Sequence, residues 1–168
     1  MRPRGRHLDR GFSLLELLIA TSLIVIAVAA IAQTFGAAIK ANARSRAMTV
    51  SVLFARQKLE EVVAAFAQRD QNGSILDTSP AGSLDRSTPG FSDYLDRNGQ
   101  SLGGGTTIPA GAEYLRRWSV EPLPGCEDSA RILQVLTTHI HGAGDAASDV
   151  TRWPETARLM TVRTRRSS

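Results

Sequence analysis

The chain has 168 residues, 42% of them hydrophobic, a formal net charge of +4 and a single cysteine. That length holds one domain plus an anchor segment, and the lone Cys126 excludes an intrachain disulfide. Arg2, Arg4, Arg6 and Arg10 against Asp9 concentrate the positive charge in the first 11 residues, so the basic balance argues little for a nucleic-acid partner.

Residues 1–11 are short, basic and hydrophilic. Residues 12–39 follow with no charge other than Glu16. That run exceeds the ~20 residues needed to span hydrocarbon. Arginines before it and few charges just after it predict a cytoplasmic N-terminus and an exported C-terminus. Ala27, Ala29, Ala30 and Ala32 imitate a signal-peptidase site, but the run is too long for an ordinary secretory peptide and passes directly into a helical pattern. A carboxylate deep in lipid costs on the order of a few kcal/mol. Glu16 therefore asks for a partner; the alternative is that it snorkels to the headgroups beside the leader arginines.

The helical pattern continues past the apolar run. Residues 37–68 contain no proline, and Val52, Ala55, Leu59, Val62, Val63 and Phe66 fall on one face. Arg56, Gln57, Lys58, Glu60 and Glu61 sit mostly off it. One continuous helix from Phe12 to about Gln68 would be about 85 Å long at 1.5 Å per residue. Ala20, Ala27, Ala30, Gly36 and Ala37 are small and permit close helix packing, though small residues are common in any membrane helix.

The basic leader, Gly11, Phe12 and the following S-L-L-E-L-L resemble the processing motif of type IV prepilins, a likeness that covers about residues 5–65. The resemblance implies that a prepilin peptidase cuts between Gly11 and Phe12 and methylates the new amine of Phe12. It also implies that Glu16 is the assembly contact, neutralising the Phe12 amine of a neighbouring subunit. An ion pair is far stronger in a low-dielectric bundle than in water, and two charges costly alone are tolerable together. The main structural subunits of that family often carry a proline within the apolar segment. This chain has none there, which points to a minor component, as does the likeness of Ala41–Val63 to the stalk of minor pilins and minor type II secretion pseudopilins.

Beyond the helix, residues 70–112 are rich in breakers, among them Gly73, Pro80, Gly82, Pro89, Gly90, Gly99, Gly103, Pro109 and Gly111, and are expected to hold no regular element. Three strands are expected after them, at Glu113–Glu121, Ala130–Ile140 and Thr156–Arg165, the first two joined by a turn at Pro122–Gly125. In the first, Tyr114, Trp118 and Val120 alternate on one face. The fold class is α+β and pilin-like: a long N-terminal helix, membrane-spanning in its first half and amphipathic in its second, packed on a small antiparallel sheet. The organisation is a leader at 1–11, an assembly half-helix at 12–39, an amphipathic half-helix at 40–69 and a head at 70–168, loop-rich over 70–112 and sheet over 113–168.

Three constellations in the head are weighed against plainer readings. Asp93, Asp96 and Asn98 place three oxygen-bearing side chains before Gly99, but Ca²⁺ wants six to eight oxygens, and Asn98–Gly99 is more simply a tight turn. His139 and His141, with Asp145 and Asp149 beyond, fall short of three or four convergent zinc ligands and read as a strand end. Arg163, Arg165 and Arg166 are few for phosphate contacts and read as a solubilising terminus. There is no nucleophile–base pair, phosphate-cradling glycine loop or cofactor motif, so no catalytic residue, metal or cofactor is expected and the protein is not expected to be an enzyme. The expected partners are other pilin or pseudopilin subunits, the prepilin peptidase, the inner-membrane assembly platform and the membrane. The expected location is the inner membrane, single-pass, with a periplasmic head, and then a filament. The alternative is a stand-alone membrane-anchored binding domain for DNA or a surface polymer.

Overall fold

The computed structural model describes residues 13–71, 76–140 and 156–165. The chain divides into two compact units, Met1–Ala43 and Arg44–Ser168. One helix, α1 (Leu14–Gln71), contributes to both. In the second unit it is followed by five strands: β1 (Ser92–Leu95), β2 (Ser101–Gly103), β3 (Tyr114–Pro122), β4 (Ala130–His139) and β5 (Thr156–Thr164). They form one antiparallel sheet in the order β2-β1-β3-β4-β5. The chain is α+β, a long N-terminal helix with its second half packed on the sheet.

The packing explains why the amphipathic half is helical. Ser51, Ala55, Lys58, Val62 and Phe66 are buried, at steps of four, three, four and four, which is one face of a helix. Val62 and Phe66 close on Val120 and Leu133, with Leu59, Val63, Leu76 and Trp118 around them. Ala55 meets Val135 and Ala157, with Leu159 beside them. Each large apolar side chain buried here is worth about 1.5–3 kcal/mol. The expected stripe is rotated slightly: Val52 is exposed, while Ser51 and Lys58 are buried. Lys58 tolerates this because its ammonium lies 4.0 Å from the centre of the Trp118 ring and 2.9 Å from Glu61.

The sheet has two strands more than the three expected. Both lie in the glycine-rich stretch that was expected to hold no regular element. The breakers there sit between short extended pieces rather than inside them. Asp96 turns the chain: its Oδ1 accepts from the amides of Asn98 (2.9 Å) and Gln100 (2.8 Å), and Gly99 adopts φ +82°. Ser92–Leu95 can then lie along β3, with Tyr94 opposite Leu115. Gly99 is obligatory for a second reason: a Cβ there would fall 2.5 Å from the Phe54 ring. Asn98–Gly99 is thus the tight turn that the plain reading expected.

Tyr114, Trp118 and Val120 share one face of β3 as expected, and the strand is covered on both faces. Trp118 and Val120 face the helix, and Leu115, Arg117 and Ser119 are covered on the other side. Arg117 is 2% exposed and donates to the carbonyls of Leu84 (3.3 Å) and Asp85 (3.0 Å) and to Ser87 Oγ (3.3 Å). It clamps the 84–87 loop onto the sheet. Burial pushes its guanidinium below the ordinary arginine value, with Tyr94 and Asp85 opposing that shift. The strand-to-strand turn after β3 uses Gly125 at φ +81°, and Cys126 is an exposed thiol within it. The Gly125 amide donates to Glu127 Oε1 at 3.0 Å and holds that carboxyl below its usual range.

Candidate functional site: the apolar N-terminal helix

The first unit is where the sequence places function. Ser13 opens α1: its carbonyl accepts from Leu17 N at 3.1 Å, and its Oγ takes the Leu15 amide at 3.3 Å. Glu16 lies in the first turn, where the helix dipole favours a negative charge. Its carboxylate bonds to no described residue. All of residues 14–43 are exposed, and the large apolar side chains run from Leu14 to Ile39. The most apolar 18-residue window has a mean hydropathy of 2.6, so the helix is long and apolar enough to cross a membrane.

The hydroxyls of Thr21, Ser22 and Thr34 inside this run are satisfied within the helix. Thr21 Oγ1 donates to the Leu17 and Leu18 carbonyls (2.9 and 3.0 Å), Ser22 Oγ to Ile19 (2.7 Å) and Thr34 Oγ1 to Ile31 (2.7 Å). Such back-bonding removes the cost of a hydroxyl in hydrocarbon. Glu16 is different in kind, because no backbone donor of its own turn balances a full charge in lipid.

Residues 6–32 match the family model of the prokaryotic N-terminal methylation motif. That motif is the signature of type IV pilins and pseudopilins, and it contains Gly11, Phe12 and Glu16. No curated protein and no solved structure matches the chain. The methylation motif implies cleavage by a prepilin peptidase and assembly with other pilin-type subunits. With the long apolar helix, it points to membrane anchoring. Gly11 and Phe12 lie outside the described residues, and Glu16 lies at the start of α1.

Among the described residues, the three head constellations do not converge on a shared ligand. Asp93 faces Arg116 directly across the β1–β3 ladder, and the two form a fork of 2.9 and 2.5 Å bonds. Asp96 caps its own turn, and Asn98 bonds back to Asp96 at 3.4 Å. Each oxygen set serves a structural bond. His139 stacks edge-on against Tyr114 at 5.0 Å, while His141, Asp145 and Asp149 lie outside the described residues. Arg165 pairs with Asp70 at 3.3 Å, and Arg166 lies outside the described residues. Among the described residues no group of three or more His, Cys, Asp or Glu side chains is placed to hold a metal ion.

Sequence reasoning missed the charged interior of the head. The Asp93–Arg116 fork is nearly buried, and Arg116 also reaches the Phe54 carbonyl of α1 at 3.5 Å. Alternation carried the available signal: Tyr114, Arg116, Trp118 and Val120 share one parity, so Arg116 had to face the helix with them.

Proposed function

We propose that the chain is a minor pilin or pseudopilin subunit of a type II secretion pseudopilus or a type IV pilus. It is made as a single-pass inner-membrane precursor with a cytoplasmic leader and a periplasmic head. Prepilin peptidase cleaves between Gly11 and Phe12 and methylates Phe12. The assembly platform then draws the subunit into a filament. The work is assembly and contact, and the protein is not an enzyme.

The observation that carries this reading is Glu16. It is the one carboxylate in the otherwise uncharged run 12–39, inside the methylation motif, with no partner among the described residues of its own chain. A freed amine on Phe12 of the adjacent subunit supplies the missing charge, which fixes the height at which a subunit enters the bundle. The absence of proline within the apolar run supports a minor rather than a bulk component.

Mass spectrometry of the mature N-terminus tests processing. The expected species begins at methylated Phe12; a start at Met1, or after Ala32, ends this reading. Glu16→Leu then separates assembly from mere anchoring. The variant should stay in the membrane and be cleaved, yet drop out of filaments, whereas a stand-alone anchored binding domain would be indifferent to the change.

A further inference from the structure

The two edges of the sheet are built differently. At one, β2 has three residues, ends at Gly103, and slips register against β1 between Tyr94 and Leu95. Short, irregular edges resist added strands. At the other, β5 keeps unbroken register with β4 from Thr156 to Thr164, with no glycine, proline or bulge. Its outer edge pairs with no described strand. A regular edge of nine residues is a template for another extended chain.

The side chains say what kind of chain. Met160 and Val162 share one face of β5 and are 64% and 45% exposed. Ile132, half-buried, lies directly across from Val162 and extends that apolar strip. The alternate face carries exposed Arg163, which has no carboxylate partner among the described residues. Arg158 is held by Gln134. One face therefore offers apolar cover and the other an exposed cation, at the two-residue period of an extended strand.

We propose that the outer edge of β5 accepts an extended segment of a partner polypeptide as a sixth, antiparallel strand. Its apolar side chains cover Met160 and Val162, and its alternate positions carry carboxylates that meet Arg163. A second β5 edge does not fit this chemistry, because Thr156–Thr164 carries no carboxylate to meet Arg163.

The test uses the full chain in detergent micelles and a labelled nonapeptide alternating Val and Glu. Fluorescence anisotropy reads affinity, and amide hydrogen exchange reads the location. The expected result is saturable binding with new protection in β5. Binding should weaken tenfold or more in the Met160→Lys/Val162→Lys variant, with an alternating Val and Lys peptide, and with a Val and Glu peptide N-methylated at alternate amides. The peptide controls use the unaltered protein and so stand independently of how the variant folds. No binding at millimolar peptide, equal binding of the N-methylated peptide, protection elsewhere, unchanged affinity of a folded variant, or a dimer joined through β5 would each overturn the proposal. None of these outcomes bears on the mass of the mature N-terminus, so the assembly reading stands or falls separately.

Discussion

Removing the carboxylate of Asp93 should cost the head more than any single exposed charge. Arg116 sits beneath α1 with its side chain 6% exposed, and Asp93 opposite it is 13% exposed. The carboxylate takes two parallel guanidinium bonds at 2.9 and 2.5 Å. Asp93→Ala leaves the guanidinium buried, with the Phe54 carbonyl at 3.5 Å among the acceptors left to it. Breaking one side of such a pair costs about 3–5 kcal/mol, because the surviving charge keeps its desolvation penalty. A domain stable by only about 5–15 kcal/mol would be brought near unfolding. The double variant Asp93→Leu/Arg116→Met removes both charges and should recover most of the loss. Urea unfolding of the full chain in mild detergent, followed by circular dichroism, measures both. A single-variant loss below about 1 kcal/mol would place the pair among weak solvent-screened ion pairs and refute the burial reasoning.

Two further outcomes follow from the head. Gly99→Ala should destabilise more than Gly125→Ala, because both positions have positive φ but only at Gly99 would the new Cβ strike a ring, that of Phe54. The backbone term alone is about 1–2 kcal/mol, so equal midpoints for the two variants in the same urea assay would contradict the close approach. Burial, with help from Glu113, raises the Tyr114 phenol above its ordinary value. A raised folded value contributes stability that is present below about pH 10 and lost as pH rises through the folded value. Tyr114→Phe should therefore flatten the alkaline limb of stability against pH, and an unchanged limb would count against the assignment.

How much could be read from the chain follows from what carries information locally. The apolar run, the isolated Glu16 and the Gly11–Phe12 junction are sequence features, legible without any coordinates. The helix half at 44–71 was legible through its period, yet the stripe was rotated, because Lys58 can bury its stem over Trp118 while Val52 faces outward. The later strands were placed to within about one residue, since β-branched and aromatic alternation marks them. Strands β1 and β2 were not legible: four and three residues between glycines carry no period of their own. They exist because β3 offers a ladder and because Asp96 closes the turn, which are long-range and side-chain facts. The buried arginines were missed for a related reason. Charge usually marks a solvated face, and only the position of Asp93 across the ladder and the carbonyls of the 84–87 loop make burial tolerable.

The Arg117 clamp has an evolutionary corollary. It grips Leu84 and Asp85 by their main-chain oxygens, which every amino acid supplies. The side chains at those two positions are therefore free to drift without releasing the segment. The cleft beside them, lined by Ser83, Leu84, Asp85, Glu121, Gln134 and Arg158, can change its chemistry while the scaffold beneath stays put. Diversity between related heads is expected to accumulate at that wall first.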